Sequence, residues 1–106
     1  MKFMLFVTDT DSNSGLPEEL KQIDDFNADI AEAGQLVMAA GLGPSAKGKF
    51  IETTGGISRV EPGSLNGEVF YSGFWIIEVE SFEQAIEIGK AASRACGRRL
   101  ELRPFL

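Results

Sequence analysis

Phe70-Tyr71-Ser72-Gly73-Phe74-Trp75-Ile76-Ile77-Glu78-Val79-Glu80 is the densest run of aromatic and β-branched residues in the chain, and its reading decides the fold. Such residues suit a pleated, packed surface, so the run reads as a strand. Successive side chains of a strand point to opposite faces. Trp75, Ile77 and Val79 therefore share one face and Phe74 and Ile76 the other, and both faces are apolar. A strand of this kind sits inside a sheet that is covered on both sides.

The flanking segments fit that placement. Ser81-Phe82-Glu83-Gln84 has the spacing of a capping box, in which a serine hydroxyl and a side chain three residues on satisfy the first free N–H groups of a helix. A helix is expected from there to about Ala95, its inner stripe Phe82, Ala85/Ile86, Gly89, Ala92 and Cys96, with Gly97 as its stop. The small residues of that stripe would let the helix lie close on a sheet. Leu100 to Arg103 alternates as a last strand.

The N-terminal half repeats the pattern. Phe3, Leu5 and Val7 alternate with Met4 and Phe6, again apolar on both faces. After a polar loop from Thr8 to Gly15, Pro17 suits a first helical position and Glu18 and Glu19 favour its positive end. That helix should reach Ala33 before Gly34, with Leu20, Ile23, Phe26/Asn27 and Ile30 as its buried stripe. Gln35 to Ala40 supplies another strand. Phe50 to Thr54 and Ile57 to Val60 bracket Gly55-Gly56 as a hairpin.

The order is β-α-β-(β)-β-α-β, an α+β ferredoxin-like protomer: an antiparallel sheet with two helices on one face. Two helices cover only one side of such a sheet, and a soluble protein does not leave a large apolar face in water. A homodimer with sheets face to face is the simplest cover. At 106 residues, with 43% hydrophobic and 25% charged residues, the chain reads as one globular domain spanning 1–106.

Composition narrows the chemistry. Sixteen acidic residues against ten basic give a formal charge of −6, which argues against nucleic acid and anionic membranes as partners. The apolar start, Met1 to Val7, is too short to span a membrane and no small-residue cleavage site follows, so a cytoplasmic location is expected. The lone Cys96 fits a reducing compartment. There is no histidine, which removes Ser-His and Cys-His nucleophile pairs and every His-containing metal site. No cofactor is expected.

Several stretches resemble sites without meeting their requirements. Asp9-Thr10-Asp11-Ser12-Asn13-Ser14-Gly15 has alternating oxygen donors, but a calcium loop needs glycine where Ser14 stands and glutamate where Leu20 stands. Gly41-x-Gly43-x-x-Ala46 lacks the helix that a dinucleotide-binding turn must open, because Pro44 and Lys47-Gly48-Lys49 follow. Lys90, Arg94, Arg98, Arg99 and Arg103 hold half of the cations; they complement a helix C-terminus or form an anion-binding rim. Cys96 lies on the helix's small-residue face as core filler. Glu61, in the long loop before the main strand, is the candidate general acid or base.

Together these landmarks resemble the YCII-related family, in its DGPF-motif branch. The opening Met-Lys-Phe-Met-Leu, Pro17-Glu18-Glu19-Leu20, Phe26-Asn27 through Ala33-Gly34 and Gly41-Leu42-Gly43-Pro44-Ser45 carry the first half of the likeness. Gly73-Phe74-Trp75-Ile76-Ile77-Glu78, Phe82-Glu83-Gln84-Ala85 and Leu100-Glu101-Leu102-Arg103-Pro104 carry the second. The resemblance implies a dimeric α+β barrel with a cleft between helices and sheet. Among the family's members some use a His-Asp pair, and one is a dehydrochlorinase of a chlorinated hydroxylated aromatic. The Asp-Gly-Pro-Phe stretch falls on Glu61-Pro62-Gly63-Ser64, so only the acid survives, and without histidine the His-Asp chemistry does not transfer.

Three functional readings stay open. The first is a dimer binding a small apolar or aromatic ligand through Tyr71, Trp75 and Ser64. The second is a cofactor-free isomerase or lyase on a small aromatic or carboxylic substrate, using Glu61. The third, which the resemblance alone implies, is an interaction module linked to sigma-factor regulation.

Overall fold

A computed structural model describes residues 1–9, 17–63 and 69–106. Its elements run β1 (Lys2–Asp9), α1 (Pro17–Glu32), β2 (Leu36–Gly41), a short 3₁₀ turn (Ser45–Lys47), β3 (Lys49–Thr54), β4 (Ile57–Pro62), β5 (Phe70–Glu78), α2 (Phe82–Cys96) and β6 (Leu100–Pro104). Four strands form an antiparallel sheet in the order β2-β5-β1-β6, and β3-β4 stand apart as a two-stranded hairpin. This is the ferredoxin-like arrangement with the hairpin inserted between its second and third sheet strands. Among the described residues the sheet is open and closes no barrel: β2 and β6 are its two edges.

Helix ends follow the sequence signals. Ser81 Oγ accepts from the Gln84 N–H at 3.2 Å, while Gln84 Oε1 accepts from the Glu80 N–H at 2.9 Å, one residue earlier than in the standard box. At the end of α1, Gly34 takes φ +72°, a conformation costly for other residues, and the Gly34 and Gln35 N–H groups bond back to Ala31 and Ile30. That pair of bonds is a Schellman cap. Gly55 and Gly56, both at positive φ, make the tight hairpin turn for which the sequence supplies them.

The core lies between the helices and one sheet face. Phe3, Leu5 and Ile77 are wholly buried, joined by Val7, Trp75, Val79, Phe26, Ile30, Ala85, Ala92 and Cys96. The expected close packing of α2 is present at Gly89, where an added Cβ would lie 3.4 Å from Leu5 Cδ2. Three stripe residues depart from expectation. Leu20 is exposed because it faces a cleft rather than the filled core, and Ile86 is exposed while Ile88 packs on the core instead. Phe82 is partly exposed, yet its ring meets Phe3 edge-on at 5.2 Å.

The opposite sheet face carries Met4 and Phe6 of β1, Phe74 and Ile76 of β5, and Met38 of β2. Cross-strand pairing sets Phe6 against Phe74 and Met4 against Ile76. The β1 and β5 residues are half-buried by one another and Met38 is exposed; among the described residues no helix covers them. At the β6 edge the face turns polar, with Glu101 paired to Arg103 and the Arg103 guanidinium 5.7 Å from the Phe6 ring centre.

Candidate functional site

Between α1 and the sheet is a cleft of 440 Å³. Ile23 and Asn27, one turn apart on α1, form one wall, and Ala39 and Trp75 from β2 and β5 form the other. Trp75, 4% exposed, is held from two sides: Phe26 meets its ring edge-on at 5.3 Å, and its indole Nε1–H donates to Asn27 Oδ1 at 2.6 Å. The polar groups at the cleft's other end are Glu19 and Arg98.

Arg98 is the hub of that end. Its Nε–H donates to Asp9 Oδ2 at 3.1 Å, one terminal nitrogen donates to the Cys96 carbonyl at 3.1 Å, and the same nitrogen lies 3.7 Å from Glu19 Oε2. The guanidinium thus ties the end of β1, the start of α1 and the exit of α2 together. Both Arg98 and Asp9 are largely shielded from solvent. A charge-assisted pair in such surroundings is strong as a geometric constraint, whatever its net stabilisation.

The structure separates the residues that the sequence groups as a site. Trp75 lies in the cleft. Tyr71 lies on the opposite, open face, its ring 5.0 Å from Phe6. Ser64 falls outside the described residues, as does all of the Asp9–Gly15 stretch except Asp9. Glu61 is not in a loop: β4 runs on to Pro62, with Glu61 opposite Phe50 and exposed. A two-stranded hairpin gives each strand one free edge, so Pro62 can end the strand although it has no N–H to donate. Glu61 is not among the residues lining the cleft.

The C-terminal cations do not converge on one anion site. Arg98 faces Asp9 and Glu19, Arg103 pairs with Glu101, and Lys90 pairs with Glu87. Cys96 is 1% exposed, and burial pushes its thiol pKa up, the reverse of what a nucleophilic thiolate needs. Among the described residues no group of three or more acidic or sulfur ligands is placed to hold a metal, and no helix is long and apolar enough to cross a membrane.

A larger depression of 610 Å³ lies between the hairpin and the start of β5, lined by Leu42, Pro44, Phe50 and Tyr71 among others. None of its lining side chains is buried. The smaller cleft, with a buried indole and a fixed polar contact in its wall, is the better-formed site. Asn27, Glu19 and Arg98 are the site residues that sequence reading leaves on other duties. Asn27 had a signal: a polar residue on the inward stripe of a helix requires a partner.

No family model matches the chain, and no curated protein matches it. Among solved structures, 5-chloro-2-hydroxyhydroquinone dehydrochlorinase from Burkholderia phenoliruptrix, in complex with 2,5-dihydroxybenzoquinone, aligns with all of this chain and 94% of its own, at 13% identity and a TM-score of 0.46.

Proposed function

We propose that this protein is a small-molecule-binding member of the YCII-related group, of the DGPF-motif kind, that holds one apolar or aromatic ligand in the Trp75 cleft of each protomer of a homodimer. The observation that carries the reading is the cleft itself. It has mostly apolar walls, one buried aromatic ring and a few fixed polar groups, the make-up of small-ligand sites, and its 440 Å³ lies in their usual range of roughly 300–1,000 Å³. The homodimer reading is supported by Met4, Phe6, Phe74 and Ile76, which no element of the same chain covers among the described residues.

Trp75 is the chain's only tryptophan, so its emission reports on the cleft directly. Titration with neutral naphthalene-based compounds should change that emission and raise the melting temperature together, since a ligand that binds only the folded state stabilises it. A panel of apolar and aromatic compounds that leaves both unchanged would remove the reading. Catalysis by Glu61 gains no support from its exposed place on the hairpin.

A further inference from the structure

We infer that Asn27 is the residue that selects the ligand, and that the ligand is a neutral, planar apolar molecule bearing a hydrogen-bond acceptor such as a carbonyl oxygen. The inference rests on the cleft reading above and deepens it.

An indole N–H is donor-only, so the contact of Trp75 Nε1 with Asn27 at 2.6 Å fixes which end of the amide is which: the oxygen faces Trp75 and the NH₂ faces away. Asn27 makes no other hydrogen bond among the described residues, and no buried side-chain nitrogen or oxygen there is left without a partner. The Nδ2 group is therefore accessible to solvent, on a residue that lines the cleft. The cleft presents a donor whose orientation is set before any ligand arrives, which lowers the cost of ordering it on binding.

Charge narrows the class further. At the other end of the cleft Arg98 is shared between Asp9 and Glu19, two carboxylates to one guanidinium. Glu19 and Arg98 are the charged residues that line the cleft, one of each sign, so its wall offers an anion no net attraction, and the chain as a whole carries −6. A carboxylate ligand would have to compete with Asp9 and Glu19 for Arg98, whereas a carbonyl takes the Asn27 hydrogen bond without bringing a charge.

The test uses three compounds of nearly one shape with the full-length protein and calorimetric titration: naphthyl methyl ketone, its hydrocarbon analogue isopropenylnaphthalene, and naphthoate. The ketone should bind about three- to tenfold more tightly than the hydrocarbon, the net worth of one neutral hydrogen bond, and naphthoate more weakly than the ketone. Asn27→Asp retains an acceptor for Trp75 and loses the donor, so it should bring the ketone's affinity down to that of the hydrocarbon. Equal binding of ketone and hydrocarbon by the wild-type protein overturns the role of Asn27 while leaving the cleft as a site, and this comparison needs no variant to fold. Tighter binding of naphthoate overturns the assignment to neutral ligands. Binding of none of the three overturns the cleft reading and this inference with it.

Discussion

Tyr71 and Trp75 are four residues apart on one strand yet lie on opposite faces of the sheet. The pairing of β1 with β5 steps from Val7↔Gly73 to Thr8↔Tyr71, leaving Ser72 as an extra residue. A bulge of this kind reverses the side-chain alternation beyond it. Trp75 is thereby committed to the cleft and Tyr71 to the open face beside Phe6.

Variants at the two positions should separate accordingly. Trp75→Phe removes the donor that orients Asn27 and should weaken binding of a carbonyl-bearing aromatic probe by about threefold or more. Tyr71→Ala should leave cleft binding at the wild-type level and weaken self-association. Probe affinity read by calorimetry, together with size measurement on each variant, distinguishes the two; loss of cleft binding in Tyr71→Ala would show that the faces are coupled.

Most of the fold is legible in the sequence because its signals are local. The Ser81 cap, the Gly34 stop, the Gly55-Gly56 turn and the alternation in β1 and β5 depend on neighbours within a few residues. The site is less legible because it depends on parity and on distant partners. One unpaired residue at Ser72 moves Tyr71 out of the cleft, and nothing in the composition of Phe70 to Glu78 marks it. Glu61 looks like a loop carboxylate beside Pro62-Gly63, but only tertiary placement shows that the hairpin carries it away from the sheet. Asn27 and Trp75 lie 48 residues apart, and their contact follows from α1 packing on β5.

The open face gives a second test. A charge placed among Met4, Phe6, Phe74 and Ile76 would lose its water if another sheet packs there, at a cost of several kcal/mol per buried ion. Phe74→Glu should therefore convert the protein to a monomer. Light scattering at micromolar concentration should give twice the 11.5 kDa chain mass for the wild type and the chain mass for the variant. A monomeric wild type would contradict the pairing.

Gly73 and Gly89 look alike in sequence and differ in the space around them. A Cβ on Gly73 would lie 2.9 Å from the Ala40 carbonyl oxygen and 3.5 Å from Gly41 Cα, backbone atoms of β2 that cannot yield without loosening the sheet. Gly73→Ala should cost about 1–3 kcal/mol, as overpacking does. Thermal melts should then show a drop of at least about 4 °C. A Cβ on Gly89 meets only the end of the Leu5 side chain, and alanine favours a helix, so Gly89→Ala should stay within about 1 kcal/mol of wild type. Equal melting temperatures for the two variants would mean that β2 and β5 are less closely apposed at Gly73.

Cys96 links burial to pH. Desolvation raises its thiol pKa in the folded protein, and the Arg98 contacts offset this only in part. An unfolded-chain thiol ionises near about pH 8.5. Below that, the thiol is protonated in both states and its contribution to stability is fully present. As pH rises past it, the unfolded chain releases the proton while the folded protein holds it, so the unfolded state gains and stability declines towards the folded-state pKa. Cys96→Ala should cost about 1 kcal/mol near neutral pH through lost packing. Urea melts of both proteins from about pH 7 to about pH 9.5 should show that gap narrowing in the alkaline half of the range. A gap that stays constant with pH would show that the thiol is not held protonated by its surroundings, and α2 would then lie less tightly on the sheet than the full burial of Cys96 implies.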